Sequence, residues 1–173
     1  TAFPPCWFKE NGDWVTSVAN TYVLPRTGTR YLRDSYSATN EYMWTPGFEL
    51  TAGVSYDFSF YMAGDGYDGW AVDVYQNTVQ NSVGATQLGS TINATGVGSS
   101  YVIQQYALVK NTVTPATTGT YYFAVKVNQP GFPWYIGFDD FTLELTPSCP
   151  APNAPTASNI TVNSATMNWA AVA

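Results

Sequence analysis

Histidine is absent from all 173 residues, which removes the side chain best suited to moving protons near neutrality. A Ser-His-Asp triad, a Cys-His pair and an imidazole metal site therefore cannot be built. The two cysteines, Cys6 and Cys149, are too few for a zinc site, which usually takes about four ligands. Gly96-Val97-Gly98 lacks the third glycine and the following helix of a phosphate-cradling loop. Carboxylates and aromatic rings remain. Asp65, Asp68 and Asp73 could pair for glycoside hydrolysis, but in Gly64-Asp65-Gly66-Tyr67-Asp68-Gly69 acidic residues more commonly form turns. Catalysis is not expected.

Carboxylates suit a hard cation better. Calcium takes about six to eight oxygens, which side chains and carbonyls of irregular segments can supply. Asp139 and Asp140 are the first candidates, and Asn11 and Asp13, in an early Asn-Gly-Asp turn, the second. The simpler alternative is one acid capping a turn's N–H groups and the other solvated. The aromatic residues suggest binding. Trp70 follows the acidic loop, Tyr67 lies in it with Asp65 and Asp68, and Trp134-Tyr135 follows the turn Pro130-Gly131-Phe132-Pro133. Flat rings beside carboxylates or amides, presented on loops, suit a sugar ligand. Exposed rings at Trp70 and Trp134 would favour binding, and buried ones plain packing. Trp7, Trp44 and Trp169 are expected in the core.

Positioning such residues falls to strands. Aromatic residues make up 16% of the chain and charged residues only 10%, a composition suited to pleated, half-buried surfaces, and no stretch is rich enough in helix formers for a sizeable helix. The net charge of −6 disfavours nucleic acid and anionic membranes. Arg26, Arg30 and Arg33 lie close in sequence but suit a solvated strand edge. No apolar run is long enough to insert in a membrane as a helix. Low lysine content with abundant Thr, Ser, Asn and Gly fits an extracellular or cell-surface setting, where Cys6 and Cys149 could pair or remain two separate thiols. Asn93-Ala94-Thr95 and Asn159-Ile160-Thr161 match glycosylation triplets that also arise by chance.

Val54 to Met62 alternates strictly, as a half-buried strand does, and with Trp70 to Tyr75 it reads as a hairpin around the acidic loop. Further strands are predicted at Thr21–Leu24, Arg30–Asp34, Tyr42–Trp44, Tyr101–Val109, Thr120–Val127 and Tyr135–Leu145. In the last, apolar residues occupy even positions at Ile136 and Phe138 but odd positions at Phe141, Leu143 and Leu145. A strand accommodates that slip with one extra residue, so a bulge is predicted at Asp139-Asp140. The proline-rich stretch 147–155 reads as a stiff linker. Beyond it, Ile160 and Val162 alternate in one short strand, and Met167 and Trp169 in another. Residues 156–173 are too few to bury a core and read as the start of a further domain.

Two stretches resemble known families. Ala154-Pro155-Thr156 through Ser164-Ala165-Thr166-Met167-Asn168-Trp169 is similar to the opening strands of a fibronectin type III domain, with Trp169 at the strand B position. Residues 1–146 resemble the MAM-like jelly rolls of Bacteroidetes-type surface proteins, including the cleaved adhesin modules of gingipain-type proteases. The matching stretches are Pro4-Pro5-Cys6-Trp7, Thr45-Pro46-Gly47-Phe48-Glu49-Leu50, Ala52-Gly53-Val54-Ser55-Tyr56 and Gly137-Phe138-Asp139-Asp140-Phe141-Thr142-Leu143. The resemblance implies an all-β, two-sheet jelly-roll sandwich and a structural calcium against the final strand. It also implies neighbouring domains in the same exported chain. The functional expectation is a non-catalytic adhesion or carbohydrate-binding module that contacts polysaccharide, glycoprotein or extracellular matrix. The alternative is a calcium-stabilised spacer without a ligand of its own.

Overall fold

A computed structural model describes residues 3–20, 23–66, 69–93, 105–129, 134–148 and 155–169. Among them there is no helix. The strands are β1 (Phe8–Glu10), β2 (Val15–Ser17), β3 (Tyr31–Ser35), β4 (Glu41–Trp44), β5 (Phe48–Leu50), β6 (Tyr56–Gly64), β7 (Ala71–Asn77), β8 (Thr86–Asn93), β9 (Ala107–Val113), β10 (Gly119–Asn128), β11 (Tyr135–Leu145), β12 (Thr156–Ser158) and β13 (Thr166–Asn168). One sheet runs β1-β4-β10-β7-β8, with β5 also paired to β10; the second runs β2-β3-β11-β6-β9. Every pairing is antiparallel. The two sheets face each other as a jelly-roll sandwich.

Alternation selects what lies between them. Phe58, Phe60 and Met62 of β6, Phe123, Val125 and Val127 of β10, Val72 and Val74 of β7, and Ile136 and Phe138 of β11 form one buried cluster. Phe58 stacks on Phe123 across the gap, with centroids 4.5 Å apart and planes at 12°. Burying each such side chain contributes roughly 1.5–3 kcal/mol.

The predicted bulge is present. The β11–β6 register slips between Asp139 and Thr142, Asp140 is left-handed at φ 51°, and Phe141 and Leu143 thereby turn back to the core. A strand with an unpaired extra residue makes this change of face without losing its ladder on either side.

Other expectations are corrected. Val54–Met62 and Trp70–Tyr75 do not make a hairpin, because β6 lies in one sheet and β7 in the other. The acidic loop is a crossing between sheets. Each strand finds its partners elsewhere, β6 in β9 and β11, and β7 in β8 and β10. The strand expected at Tyr101–Val109 begins at Ala107 and runs to Val113; residues 101–104 lie outside the described residues. Of Thr21–Leu24, Val23 and Leu24 belong to a covering segment, not a strand, and Val23 packs against the open face of Gly137. β1, β2, β5 and β8 went unpredicted. The first three have three residues each, and the sequence of β8, TQLGSTIN, is too polar to show a buried face. In the tail, β12 and β13 pair only with each other, and every described residue from 155 to 169 is exposed. Trp169 is therefore not a core residue.

Candidate functional site

Residues 36–40, Asp65 just after β6, Gln129 just after β10 and Trp134 just before β11 meet at one end of the sandwich. Gly64 and Asp65 leave β6 next to Ile136 of β11, and there Asp65 is fully buried. Its Oδ2 accepts the N–H of Tyr135 at 3.0 Å and also that of Trp134. The Trp134 carbonyl in turn accepts the Tyr36 N–H at 2.9 Å. Ser37 N–H donates to Gln129 Oε1 at 2.6 Å, and Gln129 N–H to the Ala38 carbonyl at 3.0 Å. Backbone positions are thus held from several sides, while the side chains of Tyr36 and Trp134 stay 57% and 48% exposed. Their centroids lie 5.9 Å apart at 65°. Two open rings meeting edge to face on a braced backbone can grip a flat apolar face.

The expected ligand residues separate into different roles. Trp134 is exposed as anticipated. Trp70 is 1% exposed within the core cluster, so it offers no ring to a ligand and is withdrawn as a binding residue. Asp65 braces the loop from beneath instead of facing solvent. Tyr135 is half-buried with the Arg33 guanidinium 4.5 Å over its ring. Tyr67 and Asp68 lie outside the described residues. Tyr36 went unpredicted, because nothing local marks it as a neighbour of Trp134, which is far away in sequence.

A second polar-aromatic surface lies on the outer face of the β1–β8 sheet. Tyr42, Asp73, Tyr75 and Lys126 alternate with the core residues Met43, Val72, Val74 and Val125 and so point outward. Tyr42 and Tyr75 are 5.6 Å apart. Lys126 Nζ pairs with Asp73 at 3.2 Å, and Thr91 and Gln87 donate to the same carboxylate. Trp44 shares this face yet is buried, because Gln80 and Ser82 fold over it: its indole N–H and both Ser82 donors reach the Glu10 carboxylate. Trp7, expected in the core, precedes β1, is partly buried against the core cluster and packs its ring on Phe141.

The expected calcium ligands lie in two places. At the bulge, Asp139 Oδ2 accepts N–H groups of Arg26 and Thr27, and Oδ1 accepts the Asp140 N–H. Both oxygens of Asp140 are engaged by the Arg26 guanidinium and the Thr27 hydroxyl. Arg26 also stacks over Tyr61 at 3.4 Å. The pair fits a calcium ion poorly, because an arginine already supplies its countercharge. Asn11 and Asp13 lie elsewhere: Asn11 Nδ2 donates to the Thr39 carbonyl at 3.1 Å and Asp13 N–H to Glu41 Oε2 at 2.9 Å. Cys6 is exposed and unbridged, and Cys149 lies outside the described residues.

No protein-family model matches this chain, and no curated protein does. Solved structures share its fold. A cleaved adhesin domain of Lys-gingipain from Porphyromonas gingivalis superposes with a TM-score of 0.62 at 17% identity, covering 84% of this chain and 94% of that one. The carbohydrate-binding module TmCBM61, solved in complex with β-1,4-galactotriose, gives 0.54 at 16% identity over 82% and 90%. The xylan-binding domain of Xyn10C from Paenibacillus barcinonensis gives 0.51 at 10% identity over 80% and 85%. At these identities the likeness is one of fold, the jelly-roll sandwich of adhesin and carbohydrate-binding modules.

Proposed function

We propose that the chain is a non-catalytic carbohydrate-binding or adhesion module of an exported or cell-surface protein, and that it takes its ligand at the loop end between Tyr36 and Trp134. The observation that carries this reading is the exposed ring pair on a backbone fixed by the buried Asp65. Large rings left open on a small domain mark binding surfaces, and a braced backbone lowers the entropy lost on binding. Structures with this fold include modules solved with, or named for, oligosaccharide and xylan, which supports a glycan as the ligand class.

Binding to a panel of soluble polysaccharides and glycoproteins, measured by calorimetry, tests the proposal. Trp134→Ala and Tyr36→Ala should each weaken the best ligand about tenfold or more, the equivalent of about 1.4 kcal/mol, while Tyr75→Ala leaves it unchanged. Loss on Tyr75→Ala with no effect of Trp134→Ala would move the site to the outer face of the β1–β8 sheet. No binding across the panel would favour a spacer.

A further inference from the structure

The bulge that returns Phe141 to the interior leaves a gap beside it. Between Phe141 and the segment leading into β1, a cavity of about 290 Å³ opens to solvent. Pro4 and Trp7 line it from that segment, and Leu32 of β3 and Phe138 of β11 from the core. Its walls are held in place. Trp7 meets Phe141 edge to face, with centroids 5.2 Å apart at 72°, and Phe141 stacks on Phe60 of the core at 5.2 Å and 28°. The Trp7 N–H donates to the Pro4 carbonyl at 3.3 Å, and Gln80 Nε2 to the Cys6 carbonyl at 2.9 Å. Fixed aromatic walls need little ordering to take a ligand. The volume is at the lower end for small-molecule sites, which run from about 300 to 1,000 Å³.

Polar groups in the lining are few. Thr16 and Arg30 belong to it; the Thr16 hydroxyl is buried without a hydrogen-bond partner, and Arg30 is exposed. Of the six lysines and arginines, Arg26, Lys110 and Lys126 pair with carboxylates. Lys9 donates to the Trp14 carbonyl, and Arg33 stacks over Tyr135. Among the described residues Arg30 alone has no such partner. Asp139 also borders the cavity, but its Oδ2 accepts the N–H groups of Arg26 and Thr27, and its Oδ1 that of Asp140. The guanidinium at this rim is therefore open to an anion brought from outside.

We propose that this cavity binds a small aromatic carboxylate, its ring against Trp7 and Phe141 and its carboxylate on Arg30. A further ring extends an edge-to-face aromatic cluster, and a guanidinium holds a carboxylate through two parallel N–H bonds. A sugar suits the lining poorly, because one hydroxyl and one guanidinium would leave most of its own hydroxyl groups unpaired on burial. Arg30 precedes β3 and Tyr36 follows it, so the cavity and the Tyr36–Trp134 pair lie at opposite ends of that strand. The assignment stands whether or not that pair binds a glycan.

The test is a titration of the isotope-labelled full chain with phenylpropionate, followed by NMR, with phenylpropionamide and propionate as controls. The acid should shift the Trp7 indole N–H and the Leu32 amide, and bind about tenfold more tightly than the uncharged amide, the effect of one charge-assisted contact. Propionate, which lacks the ring, should leave both signals in place. Arg30→Gln changes an exposed side chain, so it should keep the fold and bind acid and amide equally. A wild type with no shift at Trp7 and Leu32, or with shifts confined to Trp134, would overturn the proposal. So would equal affinity of the wild type for acid and amide, or a preference for the acid that survives Arg30→Gln.

Discussion

Trp70 and Trp134 look equivalent in sequence, each directly after a turn-forming stretch, yet the structure gives them opposite duties. Trp70 is sealed among core residues, and Trp134 stands in solvent against Tyr36. Their alanine variants should therefore separate cleanly. Trp70→Ala opens a large cavity and should cost about 3–5 kcal/mol in chemical denaturation. Trp134→Ala removes mainly exposed surface and should stay within about 0.5–1 kcal/mol of the wild type. Equal losses in the two variants would show that Trp134 serves packing, and the proposed ligand site would lose its main ring. Asp65 teaches the same lesson for charge. A carboxylate in a glycine-rich loop looks like a ligand group, but its oxygen is taken by the N–H groups of Trp134 and Tyr135.

Strands bring charges together across long stretches of sequence, and β6 shows this best. Its Asp57 faces outward and accepts hydrogen bonds from Thr112 of the neighbouring β9 and from Thr146 just after β11, at 2.6 and 2.9 Å, and pairs with Lys110. Hydrogen bonding to Lys110, then to Thr112, holds the carboxyl below its ordinary value. A group with a depressed native pKa stabilises the fold above its unfolded value, near 4, and loses that contribution as pH falls through the native one. The melting-temperature gap between wild type and Asp57→Asn should therefore be present at pH 6 and close as pH falls through and below the ordinary carboxylate range. Because Lys110 is half exposed, high salt should narrow the gap as well. A gap independent of pH would mean that Asp57 acts through packing rather than charge. The bulge was readable at this scale because it leaves a trace in one strand: a change of parity across Asp139-Asp140. The partners of that bulge were not, since Arg26 and Thr27 reach it from a covering segment more than a hundred residues earlier.

At the scale of the molecule, the sandwich owes its cohesion to contacts between distant strands, β11 with β6 and β10 with β7 foremost. The tail contributes an exposed ribbon, β12 with β13. A chain ending at Thr146 should therefore melt within about 1 °C of the full one and keep the same glycan binding. A drop of several degrees would show that the tail docks on the sandwich.

By itself the sequence determined the class of structure. Alternation in Val54–Met62 and Thr120–Val127, the scarcity of helix formers and the parity flip at Asp139-Asp140 are local properties, set by side-chain direction along an extended chain. The absence of histidine removed whole kinds of chemistry before any fold was considered. Only the tertiary structure decided which strands share a sheet, and so turned the expected β6–β7 hairpin into a crossing. It also decided which tryptophan is open, and whether a carboxylate meets an arginine or an amide. Those outcomes depend on residues brought together from opposite ends of the chain. Burial and pairing belong to that assembled surface, and a linear pattern of residue types does not carry them.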